Sequence, residues 1–224
     1  MPRTLQKQRR PEETRKRLVA AAQELVLERG FSASGVDQIC ERAGVTKGAF
    51  FHHFKSKDEI GIAALGAWAE FGMAAYAEAR KAPAKPPLAR VHRFFDIMTG
   101  FVTDSTSPVT CVVGMMSQEL AQANPVLRGV CSGYLGDWTD FAKELLEEAK
   151  AAQKPRVDFD AAEAAWFLNA LWQGSMLVAK TRQDPHIVIR NLAHARAFID
   201  GLFSGTATLP PRKSPQPRTK RRTK

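Results

Sequence analysis

Residues 44–57 read GVTKGAFFHHFKSK and hold three lysines, two histidines and no acid. Such a run attracts phosphate, and small residues within it let backbone come close to backbone. Thr46, Lys47, Gly48 and Ala49 lead it, Phe51, His52 and His53 follow, and Lys55 and Lys57 close it. A second group lies in TCVVGMMSQEL, residues 110–120. Cys111 is a soft nucleophile, Gly114 and Ser117 leave room for a close neighbour, and Gln118 and Glu119 supply polar groups. A thiol at a helix N-terminus is acidified and made reactive, so Cys111 is a candidate sensor if it is exposed. The other reading is a buried small apolar residue. Cys131 offers a transient disulfide partner or a second buried thiol, and Cys40 reads as core.

Catalytic chemistry is not indicated. There is no phosphate-binding GxxxxGK[ST] loop, no GxSxG nucleophile elbow, no HExxH and no paired CxxC. His92, His186 and His194 form no recognisable site. His52 and His53 are adjacent, and adjacent helical residues do not face one metal. The expectation is a chain that is not an enzyme and has no metal or cofactor.

The elements that must position these residues are helices. Leu18, Ala21, Ala22, Leu25 and Val26 recur at helical spacing, and Gly30 ends that pattern. Short helices are predicted over Val36–Ala43, with Ser34 as N-cap, and over Lys47–His53, with Thr46 as N-cap. Ser56 caps a long helix to Arg80, and APAKPP at 82–87 breaks the chain. Further helices are predicted over Leu88–Thr103, Val109–Ala123, Pro125–Ala152, Phe159–Thr181 and Pro185–Phe203, with Pro108, Pro125, Pro155 and Pro185 at their boundaries. No segment alternates with period two.

Val36, Ile39, Cys40 and Ala43 face inward on the first short helix, and Gly44 allows a tight turn into the second. That is the spacing of a helix-turn-helix, whose second helix enters the major groove N-terminus first. Phe50 and Phe54, four apart, pack down, leaving Phe51, His52 and His53 toward DNA.

The chain has 224 residues, a net charge of +10 and three cysteines. Length allows a small domain plus a larger one. Three cysteines fit a reducing cytosol better than a disulfide framework. The N-terminus lacks the apolar stretch of a secretory signal, and no apolar run approaches a membrane span, so no membrane partner is expected. Residues 1–17 net +5 and residues 205–224 net +7, so the rest nets −2, the difference between +10 and +12. The basic character therefore belongs to the tails. Residues 1–13 read as a basic arm, where Arg3, Lys7, Arg9 and Arg10 either reach DNA or fray. Residues 205–224 are Pro-rich and basic and read as a disordered, solubilising tail.

Residues 14–65 resemble the DNA-binding domain of TetR-family transcriptional regulators. The matching pieces are TRxxLVxAAxxL at Thr14–Leu25, RGF at Arg29–Phe31, VDxI at Val36–Ile39, AGVTKGAF at Ala43–Phe50 and HHFKSKDE at His52–Glu59. The resemblance implies an all-α homodimer. Its N-terminal three-helix helix-turn-helix domain (14–60) reads an operator, and its C-terminal helical domain (61–204) binds a ligand and dimerises. It implies that Lys47, His53 and Lys57 contact phosphates and that Ala49 and His52 lie near base edges, with Ser34, Thr46, Gly48 and Phe51 also at the DNA. Phe51 stands where the family usually has Tyr, so it offers apolar contact in place of a hydroxyl. The 110–120 stretch resembles the GCLxGxxxQEL pattern of a NemR-like, electrophile-sensing branch, in which the cysteine matching Cys111 is a sensing thiol.

The second domain supplies Trp68, Phe71, Phe95, Met98, Met115, Trp138 and Trp172 as candidates to line an effector cavity. Such stripes are more often core. The two last helices carry many small residues, among them Ala161, Ala164, Ala165, Ala170, Gly174 and Ser175. These fit a four-helix dimer interface or an internal core. The expected function is a cytoplasmic, sequence-specific DNA-binding regulator, a repressor released by a small-molecule effector or by modification of Cys111. The alternative is a constitutive DNA-binding or architectural protein.

Overall fold

The computed structural model describes residues 3–104 and 110–209, and of residues 3–10 only the backbone path. The readings of Arg3, Lys7, Arg9 and Arg10 as DNA contacts, of Pro108 and Val109 as a helix start, and of the tail beyond residue 209 lie outside the described residues.

The elements are α1 (Arg3–Arg29), α2 (Val36–Ala43), α3 (Lys47–His53), α4 (Lys57–Ala77), a 3-10 turn (Glu78–Lys81), α5 (Ala89–Thr103), α6 (Val112–Leu120), α7 (Pro125–Ala152), α8 (Ala161–Arg182) and α9 (His186–Ser204). No strand occurs among the described residues. The fold is all-α, as the spacing predicts.

Local chemistry sets the boundaries. Thr46 accepts from the amide of Ala49 at 3.2 Å, and Ser56 from that of Glu59 at 3.1 Å, each capping the helix that follows. Glu59 returns a bond to the Lys55 amide at 2.6 Å. Asn124 and Asp160 cap α7 and α8 in the same way. α2 closes on Gly44 at φ +63°, where the amides of Gly44 and Val45 bond back to Glu41 and Cys40 at 3.1 and 3.0 Å. A side chain at Gly44 is forced into the left-handed region, so Gly44→Ala is expected to cost about 1–2 kcal/mol. Gly48→Ala, in an exposed helical position where a Cβ meets only an ordinary 3.8 Å contact with the Thr46 hydroxyl, is expected to be neutral or stabilising by up to about 1 kcal/mol. Denaturant unfolding of both variants checks the contrast.

Three expectations are corrected. α1 begins at Arg3 and carries Pro11 within it, so the backbone of residues 3–13, read as a basic arm, continues the helix; exposed Glu12, Glu13, Lys16 and Arg17 are good helix formers that need no buried face. α6 starts at Val112, with Cys111 as its N-cap, and ends at Leu120. The stretch 57–81 does reach the length and mean hydropathy (1.3) of a membrane span. Much of it is Ala and Gly, and α1, α6 and α7 pack against α4.

Three apolar clusters organise the chain. The head cluster joins α1 to α4 through Leu18, Ala22, Leu25, Ile39, Phe50, Phe54 and Ile60. The body cluster lies among α5, α7, α8 and α9 and includes the edge-on rings of Tyr76, Phe94 and Trp138. Between them a third cluster brings Val26 and Phe31 from the head against Val112, Met116, Leu120 and Leu127. α6 thus shares a core with the head.

Ser175, Ala161, Ala164 and Ala165 are buried inside the monomer, so that part of the small-residue face is core and not a dimer surface. The exposed face of α8 is instead Phe167, Ala170, Gly174, Leu177 and Val178, with Phe167 edge-on to Phe198 of α9 at 5.3 Å.

Candidate nucleic-acid interface and effector cleft

Phe50 and Phe54 are fully buried, and their packing turns the opposite face of α3 outward. Thr46, Lys47, Gly48 and His52 are exposed, Ala49 and His53 are half-buried, and the Phe51 ring is 51% exposed. These residues share one surface at the start and outer side of α3. Lys47 is held by Asp37 of α2, Nζ to Oδ1 at 2.9 Å, and that pair raises the lysine's pKa. Burial, with the nearby His52 and Arg15 charges, pushes the His53 imidazole down, so it is neutral near pH 7. Among the described residues, no three His, Cys, Asp or Glu side chains gather as a metal site.

Two expectations about this face change. Ser34 is 1% exposed and donates its hydroxyl to the Gly30 carbonyl at 2.7 Å, while Gly35 stands at the N-cap of α2. Ser34 is therefore a brace of the α1–α2 loop rather than a cap, and its side chain is turned away from the surface. Lys57 folds inward, with Nζ 3.1 Å from the Ser32 carbonyl and 4.5 Å from the centre of the Phe31 ring. Burial lowers its pKa against the pull of Glu119 and Asp58. Sequence reasoning also missed Arg15 of α1, which lies over the Phe54 ring at 5.2 Å beside His53. The only signal was its place in the basic run TRKR.

A clasp joins head to body. The carboxylate of Glu119, near the end of α6, accepts from the amides of Phe31 and Ser32, both at 2.7 Å. Gly30, at φ +89°, has no side chain to block it: a Cβ there would lie 3.1 Å from Oε2. Burial works against this carboxylate, but the bonds from Ser32 and Phe31 and the charge of Lys57 outweigh it and hold its pKa below the ordinary range.

At the other end of α6, Cys111 lines a cleft of about 650 Å³ between α1, α6 and α8. Its thiol lies near the amides of Val113 and Gly114, the Trp68 indole and the Gln173 amide, all of which favour the thiolate. Burial outweighs them and pushes the thiol's pKa up. The helix N-terminus is present as expected, but the depressed pKa is not, because desolvation costs the anion more than four donors return. Cys131 is buried in the junction cluster, and all three cysteines are free.

The remaining cavity candidates disperse. Met115 lines the cleft with Cys111. Phe95 lines a separate groove between α5 and α9, and Met98 and Trp172 are body core. Trp138 is core as well, its indole edge-on to the Tyr76 ring. Phe71 is 64% exposed, its ring tilted against Phe101 at 5.9 Å between centroids, so it is a surface residue and not a cavity wall. Met176 belongs to the apolar side chains from which a cavity is expected to draw, whereas Gln173 and Lys180, which line the cleft beside it from α8, lie outside the expected set. Their spacing of three, four and seven residues puts them on one helical face, a signal visible in the sequence.

The model of bacterial regulatory proteins of the tetR family matches residues 18–64, and that of the tetracyclin repressor-like C-terminal domain matches residues 87–195. The transcriptional regulator AcuR of Cereibacter sphaeroides is 31% identical, over 75% of this chain and 78% of its own. The repressor NemR of Escherichia coli K12 is 25% identical over 84% of this chain and 94% of its own. Among solved structures, a regulatory protein TetR from Rhodobacter sphaeroides superposes with a TM-score of 0.71 at 27% identity, covering 80% of this chain and 95% of its own. The helical head, the second helical domain and these matches together place the chain in the TetR family of DNA-binding transcriptional regulators.

Proposed function

We propose that this chain is a cytoplasmic, ligand-gated repressor: a homodimer that reads a palindromic operator through α3 of each protomer. A small-molecule effector that binds in the α1–α6–α8 cleft, or modifies Cys111 there, releases it. The observation that carries this reading is the placement of α6. Nine residues link a cysteine in a cleft at one end to a carboxylate gripping the head at the other. A shift of α6 at Cys111 is felt at the loop that positions α2 and α3, and the linking helix α4 carries it further.

At the DNA, Ala49 and His52 read base edges, and Thr46 and Gly48 let α3 enter the groove. Phe51 gives apolar contact. Lys47, once its Asp37 partner yields, takes phosphate together with His53 and Arg15. Lys57 contributes through the donors not used on Ser32. The exposed Phe167–Val178 face of α8, with Phe198 of α9, supports a dimer that sets two heads one helical turn of DNA apart.

The test is gel shift on the DNA upstream of the chain's own gene, with and without N-ethylmaleimide, for wild type and Cys111→Ser. Release of wild type but not Cys111→Ser supports the thiol trigger. Undiminished release of Cys111→Ser rejects it. In the same assay Lys47→Ala is expected to weaken specific and random DNA alike, about three- to tenfold, whereas His52→Ala changes the preferred sequence. Equal losses for both variants on both DNAs would remove His52 from the readers.

A further inference from the structure

Lys180 of α8 lies half-buried at the cleft, with Nζ 3.1 Å from the Leu27 carbonyl and 3.2 Å from the Met115 sulfur. Among the described residues no acidic partner offsets its burial, and desolvation lowers its pKa. Two carboxylates line the same cleft, but both are engaged elsewhere. Glu28 holds Arg42 through two bonds of 2.7 and 2.9 Å, and Glu119 holds the Phe31–Ser32 amides. A buried cation that meets only a carbonyl and a thioether is poorly compensated, and an anion that reaches it gains a charge-assisted bond in a weakly screened place.

The walls beside Lys180 limit what that anion carries. Met115, Met176 and Leu177 are apolar, and the two thioethers adapt to different shapes. Arg29 also lines the cleft, but its guanidinium stands 3.7 Å from the Glu28 carboxylate, so Lys180 is the lining cation without an acid beside it among the described residues. That balance, with two acids nearby, favours a single negative charge over a doubly charged phosphate. We propose that this cleft binds an organic monocarboxylate, with the carboxylate on Lys180 and the apolar body against Met115, Met176 and Leu177. The ammonium then turns from Leu27 to the ligand, and α8 loses its tie to the last turn of α1, the helix that leads into the Glu119 clasp. The binding site stands on these contacts alone, and its role in DNA release rests on the ligand-gated reading above.

Calorimetric titration of the full-length protein tests it, with octanoate and benzoate as probes and octanamide and benzamide as uncharged matches. The carboxylates are expected to bind at least about tenfold more tightly than their amides. Lys180→Gln is expected to erase that preference, and Lys180→Arg to keep it within about threefold. Inorganic phosphate is expected not to compete. Absence of carboxylate binding, equal binding of the amides, or a preference that survives Lys180→Gln overturns the proposal. Fluorescence anisotropy of the operator complex, run in parallel, separates the two claims. Lys180-dependent binding that leaves the operator complex intact upholds the site and overturns its gating role.

Discussion

Replacing Phe50 with alanine is expected to melt the reading head, abolish operator binding and leave the body folded. Phe50 is fully buried at the centre of the head cluster, against Phe54 at 5.8 Å between ring centres. Truncating a buried Phe costs about 3–5 kcal/mol in lost transfer energy and residual cavity. That is a large part of what a small domain has in total. The head cluster contains no residue of α5 to α9, so most of the loss falls on α1 to α4. Three of the four tryptophans, Trp138, Trp166 and Trp172, lie in α7 and α8, so their fluorescence reports mainly the body, while Trp68 sits on α4 at the junction cluster. The variant should lose far-UV helical signal at a lower temperature while the tryptophan transition moves little. Phe51→Ala is the matched control. Its half-exposed ring supports little of the core, so stability should fall by less than about 1 kcal/mol while DNA affinity still drops. Operator affinity of Phe50→Ala within about threefold of wild type would show that α3 is not held by this core.

The contrast between Phe50 and Phe51 was legible in the sequence, because helical periodicity fixes which of two adjacent rings turns inward. So were the bounds of α2, α3 and α7, which rest on local signals: Gly44 in the left-handed region, the Thr46 and Asn124 caps, and Pro125 in the first turn. What escaped depends on tertiary placement. Ser34 has the chemistry of a cap, yet it lies under the loop and spends its hydroxyl on Gly30. Phe71 has the chemistry of a cavity wall, yet α4 turns it to the surface. The sign of the Cys111 shift depends on a balance between burial and four donors, two of which, Trp68 and Gln173, lie far from it in sequence. The Glu119 clasp spans 87 and 88 positions, so no window on the sequence contains both ends. The sequence did flag Glu119 as a polar group in a telling segment, but not the partner that makes it matter.

Glu119→Ala should therefore separate the two domains' behaviour. Each bond from a backbone amide to a carboxylate is worth about 1.5–3 kcal/mol when well shielded. This carboxylate is largely exposed, so solvent screening reduces the pair to about 1–2 kcal/mol in sum. That loss is modest for stability, but it falls on the contact between α6 and the loop before α2. A coupling of about 1–3 kcal/mol between effector site and DNA corresponds to about 5–150-fold in affinity, so removing the clasp can remove most of it. The variant is expected to stay folded, to bind operator several-fold more weakly, and to respond to cleft ligands or thiol reagents with a much smaller change. Acid should imitate the substitution. The folded-state pKa of Glu119 is held below the unfolded value near 4.3, so its contribution is complete above that value and is lost as pH falls through the lower one. Operator anisotropy with and without N-ethylmaleimide, for wild type, Glu119→Ala and Glu119→Gln, decides the matter. Glutamine keeps one acceptor oxygen and should retain part of the response. An alanine variant with the full wild-type response would show that the signal reaches the head by α4 alone.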